Sequence, residues 1–180
     1  MCLTSLRSPK HFLEGIVASL DTSHPLLSRA ELTSIFSNFI DIWNLHCAFF
    51  QSLSAMLEPA SAFPPPLSPL LLAHFPYLSL YNPFVTAFPA AMASLGQLQS
   101  TKSGFGAYVA RQEADERCGS LKLRDWLLTI VQRCPRYLLL LKDLIGCTDP
   151  EDSEHASLTA VHTLVSKSKL SSLSADPDVD

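Results

Sequence analysis

Three basic side chains, Arg133, Arg136 and Lys142, interrupt a leucine-rich stretch, LKLRDWLLTIVQRCPRYLLLLKDLIGCT, between Leu121 and Thr148. A purely structural helix does not need them, so they point to recognition of another surface rather than to bond making. Glu113 and Glu116 stand about one helical turn apart and have the right type for acid and base work, but a solvated helix face explains them more simply. His46 lies on an apolar stripe with no second His or Cys at a metal-binding interval, and reads as a core histidine. The cysteines, Cys2, Cys47, Cys118, Cys134 and Cys147, are odd in number and lack short paired spacing. They read as reduced thiols of an intracellular protein. No GxSxG, HExxH or GxxxxGK[ST] pattern occurs. The expectation is no catalytic residue, no cofactor and no metal.

The element that must carry the basic cluster is helical. Leu123, Leu127, Ile130, Val131, Cys134, Leu138, Leu141, Leu144 and Ile145 recur at three, four and seven residues, an amphipathic stripe with most charges off it. Pro135 stands inside this pattern, where a proline costs about 3 kcal/mol and bends a helix. A kink there would set Gln132 and Arg133 on one side and Arg136 and Tyr137 on the other, within a partner's reach. Arg124, Asp125 and Lys142 exclude a membrane span, which wants roughly 18 or more apolar residues.

At 180 residues the chain suits one domain with its own core, and 47% apolar with 17% charged residues is a globular composition. A net charge of -4 without a broad basic face argues against nucleic acid as a partner. The opening residues, MCLTSLRSPKHFLEGIVASL, lack the basic start and apolar run of a secretory signal, so a cytoplasmic location is expected. Residues 59–101 contain no Asp, Glu, Lys or Arg, which raises a membrane-associated helix as a further possibility. Pro64, Pro65, Pro66, Pro69, Pro76, Pro83 and Pro89 cut that region too finely for one regular span.

Along the chain, Phe12, Leu13, Ile16, Val17 and Leu20 predict a first helix that begins near Pro9. Ser28 followed by Glu31 is a capping-box pattern, opening one helix of seven turns, about 40 Å, to Leu57. Its stripe runs through Leu32, Ile35, Phe36, Phe39, Ile42, Trp43, His46, Phe49, Phe50, Leu53, Met56 and Leu57. EPASAFPPPLSP, residues 58–69, reads as a stiff connection, with an SH3-type ligand as the functional alternative. An irregular, proline-cut helix follows. After a Ser/Gly loop over residues 99–106, a short helix has Tyr108 and Val109 inward and Arg111, Glu113, Asp115 and Glu116 outward. The acidic DPEDSE then starts a last helix carrying Leu158, Val161, Leu164 and Val165. No strand-like alternation appears, so the expected fold is all-α, an elongated bundle of long helices. Its boundaries are an altered start at residues 1–11, a helical domain over 12–165 and a polar tail over 166–180.

The stretch LLTIVQRCPRYLLLLKDLIGCT resembles the third signature region of the Dbl-homology domain of Rho guanine-nucleotide exchange factors: a leucine pair, VQR, PRY, a leucine run, a basic residue and a closing Thr. LSRAELTSIFSNFIDIWNLHCAFFQSL is similar to the family's first region, and FPYLSLYNPFVTAFPAAMASL to its weaker second one. The resemblance covers residues 12–165 in order. It implies a helical bundle that binds a Rho-family small GTPase, promotes GDP release and makes no covalent bond. In the family the gripping surface comes from the first and third signature helices and the end of the last helix. Carried over by motif, Arg136 matches the basic residue that faces the GTPase, and Gln132, Arg133, Leu139 and Lys142 lie in the same motif. Leu139 and Leu140 read equally well as core.

Some positions depart from the family pattern. Where it has a Glu before the aromatic at Phe12, this chain has Arg7, Ser8, Pro9 and Lys10. An Asn of its last helix would fall near Ser172 or Leu173, and Ile130 replaces the Pro that precedes VQR. The pleckstrin-homology domain that often follows is not in this sequence, so the resemblance is to a truncated or divergent member, and membrane association is expected only through flanking domains. A degenerate scaffold that binds a protein without exchange is the alternative.

Overall fold

The computed structural model describes residues 4–57, 65–116 and 121–167. All regular structure among them is helical: α1 (Thr4–Ser19), α2 (Arg29–Phe36), α3 (Phe39–Leu57), α4 (Ser68–His74), a 3₁₀ helix (Phe75–Leu80), α5 (Tyr81–Thr101), α6 (Ser103–Glu113), α7 (Leu123–Val131), α8 (Arg133–Cys147) and α9 (Ser153–Lys167). The chain groups into two compact units, Met1–Phe39 with Pro83–Val131, and Ile40–Asn82 with Gln132–Asp180. None of these helices is long and apolar enough to cross a membrane.

In the first unit α1 lies against α7. Phe12, Leu13 and Ile16 of α1 and Leu123, Trp126, Leu127 and Ile130 of α7 are buried, each set at helical spacing. From α6 come Phe105, Tyr108 and Val109, the last two as expected. The Tyr108 hydroxyl donates to the Phe12 carbonyl at 2.9 Å. It passes so near Gly15 that a Cβ there would overlap it, so glycine is what lets the tyrosine reach α1. The capping box forms as expected: Ser28 Oγ accepts from Glu31 N, and Glu31 Oε2 accepts from Ser28 N at 2.7 Å. Glu31 also holds Lys102 Nζ at 2.7 Å. Together these partners pull its carboxyl down to about 2, the lysine having the largest effect. Glu113 is more than a solvated charge: Oε1 accepts from Leu123 N at 2.9 Å, satisfying the first amide of α7.

In the second unit α9 packs on α8, on α4 and on the 3₁₀ helix. Ile42, Phe49, Leu71, Phe75, Leu78, Tyr81, Cys134, Tyr137, Leu141, Leu158, Val161 and Val165 are buried. Glu154, in the first turn of α9, accepts from the amides of Leu67 and Ser68 at the start of α4.

Several expected elements are divided differently. The helix expected from Ser28 to Leu57 breaks after Phe36, where Ser37 takes φ 46°, a conformation that disrupts the backbone ladder. The kinked helix from Leu121 to Thr148 is instead two helices, α7 and α8, meeting at Gln132. Pro135 is the third residue of α8, where its missing N–H has no intrahelical acceptor to lose. The Ser/Gly loop over residues 99–106 shrinks to Lys102 between α5 and α6. α1 begins at Thr4 rather than near Pro9. Pro76 falls in the 3₁₀ helix, Pro83 in the first turn of α5 and Pro89 within it. Most of the connection at residues 58–69, the tail from 168, and Cys2 and Cys118 lie outside the described residues.

Candidate functional site

α8 belongs wholly to the second unit, and its sequence sets which side is wet. At about 100° per residue, Cys134, Tyr137 and Leu141 share one side and are buried. Gln132, Arg136, Leu139 and Asp143, at steps of four, three and four, share the other and are exposed. Lys142 is exposed on one flank of this line, and Leu140 on the other. Leu139 and Leu140 are 63% and 62% exposed, which removes the core reading of both. Adjacent leucines left in water beside a guanidinium and an ammonium form a surface suited to a protein partner, with apolar contact at the centre and charge around it.

Of the five residues expected from sequence, this surface brings together Gln132, Arg136, Leu139 and Lys142. Arg133 does not join them: it is half-buried on the side of α8, close enough for its charge to act on His46 and Cys134. Leu140 and Asp143 belong to the face and were missed, although continuing the four-three-four step from Gln132 reaches Asp143.

The buried side of α8 is anchored on His46. Its Nε2 lies 2.6 Å from the Tyr81 hydroxyl, and its Nδ1 lies 3.1 Å from that of Tyr137. The ring stacks on Tyr137 at 5.9 Å and meets Tyr81 edge-on at 5.8 Å. Burial, reinforced by the Arg133 charge, pushes the imidazole down to about 3, so it is neutral at physiological pH. A neutral imidazole has one donor and one acceptor, so one tyrosine receives a proton from the ring and the other donates to it. The core-histidine reading therefore holds, with both nitrogens in use. Burial pushes the Cys134 thiol up to about 12 against the opposing effect of Arg133. That makes it an inert packing group. Among the described residues no group of three or more His, Cys, Asp or Glu is placed to hold a metal ion.

The family model for the RhoGEF domain matches residues 3–170. The chain belongs to the RhoGEF domain family. Among relatives of this RhoGEF domain, "FYVE, RhoGEF and PH domain-containing protein 1" of Mus musculus is 30% identical over 126 residues, 67% of this chain and 13% of that protein. "Ras-specific guanine nucleotide-releasing factor 1" of Mus musculus is 28% identical over 165 residues, 91% of this chain and 12% of that protein. The RhoGEF domain thus spans about an eighth of either relative. In fold it is similar to the DH/PH fragment of PDZRHOGEF solved in complex with human RhoA, with a TM-score of 0.81 at 21% identity over 96% of this chain and 48% of that one. It is similar also to an activated truncation of Vav1, with a TM-score of 0.76 at 21% identity over 90% of this chain and 39% of that one.

Proposed function

We propose that this RhoGEF domain is a guanine-nucleotide exchange factor that binds a Rho-family small GTPase and promotes release of its GDP. The observation that carries the reading is the family match over residues 3–170. The exposed line of α8, with two wet leucines beside Arg136, supports it from the geometry. In this reading Arg136 faces the GTPase, Leu139 and Leu140 supply the apolar contact, and Gln132 and Lys142 flank them. Arg133 contributes from behind by its charge and packing.

The action is linkage rather than bond chemistry. A surface that fits the nucleotide-free GTPase better than the loaded one weakens nucleotide binding by the same factor, so GDP leaves and GTP can enter. No cofactor is required, and a cytoplasmic setting suits such a protein. The working domain is residues 12–165, with α1 extending into the segment before it and a polar tail after it.

The test is release of fluorescent GDP from a panel of Rho-family GTPases at micromolar domain. Acceleration for at least one GTPase, lost on Arg136→Ala, is expected. A flat response across the whole panel would sink the reading.

A further inference from the structure

We propose that His46 is a positioning residue for the exposed face of α8, fixing the roll of that helix through the Tyr137 hydroxyl. The inference rests on the exchange reading above and concerns a side chain that touches no partner. Arg136 and Tyr137 are neighbours in sequence, but on α8 the first is exposed and the second buried. Whatever holds Tyr137 therefore sets where Arg136, Leu139 and Leu140 point.

Gln132 gives α8 no side-chain cap, and Cys134 and Leu141 make apolar contact, which tolerates small rotations. The Tyr137 ring packs on Phe75 at 5.1 Å and Phe49 at 6.4 Å, which locates the ring without orienting its hydroxyl. The hydroxyl is oriented by His46 Nδ1. That imidazole is in turn fixed from its other nitrogen by Tyr81, the first residue of α5. The bond from His46 Nδ1 ties the roll of α8 to α3, which carries the imidazole, while the bond from Nε2 joins α3 to the start of α5 and does not reach α8.

The experiment compares two variants that each delete one hydroxyl from the same imidazole. Tyr137→Phe cuts the bond to α8, whereas Tyr81→Phe cuts the bond on the far side. For each, thermal unfolding is measured together with exchange on the GTPase best served by the wild type, separating the half-saturating concentration from the plateau rate. Tyr137→Phe is expected to raise the half-saturating concentration about fivefold, the ratio one hydrogen bond is worth. Tyr81→Phe should leave it within about twofold at a similar loss of melting temperature. His46→Asn, which keeps a polar group near Nδ1, should bind better than His46→Gln, which keeps one near Nε2, and this pair decides the matter if Tyr137→Phe does not fold. Equal shifts for the two members of either pair, or no shift for a folded Tyr137→Phe, overturn the inference while the exchange reading stands. A wild-type domain inactive on every GTPase withdraws both.

Discussion

Glu154 caps a helix that is not its own: its carboxylate takes the Ser68 amide at 2.7 Å and the Ser68 hydroxyl at 2.6 Å, 86 residues earlier in the chain. It also accepts from Leu67 N at 2.8 Å, so amides at the start of α4 are satisfied from α9. One charge-assisted bond contributes about 1.5 to 3 kcal/mol, and three that share one half-buried carboxylate add far less than their sum. Glu154→Ala should destabilise the domain by roughly 2 to 3 kcal/mol, and Glu154→Gln by about half of that, as read from urea unfolding midpoints. Unchanged midpoints would show the cap to be dispensable.

Ser37 should be better as glycine. Its φ of 46° is reached at a cost of about 1 to 2 kcal/mol by a residue with a Cβ. Part of that gain is lost to the greater freedom of glycine in the unfolded chain. Ser37→Gly is expected to raise stability by about 0.5 to 1 kcal/mol, whereas Ser37→Val should lower it.

Acid should weaken the domain in two overlapping windows. The unfolded imidazole gains its proton near 6.5, while His46 in the fold stays neutral down to about 3. The unfolded chain therefore binds more protons across that interval, and stability falls as pH falls through it. Glu31 titrates near 4.5 unfolded but stays charged to about 2 in the fold, so its contribution, complete above 4.5, is lost as pH drops toward 2. Unfolding midpoints should decline steadily from pH 7 to pH 3. His46→Phe should flatten the part between 6.5 and 4.5.

Thiol reactivity should separate the cysteines by place. Cys147 is exposed at the end of α8, while Cys134 is buried with its thiol pushed up to about 12. Iodoacetamide at pH 8 followed by peptide mapping should label Cys147 in the native domain and Cys134 only after denaturant is added.

Arg136→Ala should lower exchange about tenfold or more, as loss of an arginine at the centre of an interface does, while leaving the melting temperature within about 1 °C. Leu139→Ala should behave alike. An early-melting Arg136→Ala would make the residue structural.

What could be read in advance depended on whether the signal was local. The capping box needs only Ser28 and Glu31, three residues apart, and it forms as written. The burial of Phe12, Ile16, Leu127 and Ile130 follows from spacing alone. The break at Ser37 has no such mark, because a serine at positive φ carries no sequence signature of its own. Pro135 was legible as an irregularity, but a proline that bends one helix and a proline in the first turn of the next leave the same trace. The cluster Arg133, Arg136 and Lys142 reads as one patch in sequence. Only the placement of α8 turns Arg133 toward His46 and leaves Arg136 beside two wet leucines, both of which the sequence could equally assign to the core.

The near-overlap of Tyr108 with Gly15 has an evolutionary consequence. A side chain added at position 15 displaces the phenol, and a shorter residue at position 108 leaves a hollow over α1 and takes from the Phe12 carbonyl its bond outside the helix. Neither position can drift alone, so lineages of this domain should change the two together, a large residue at 15 arriving with a small one at 108.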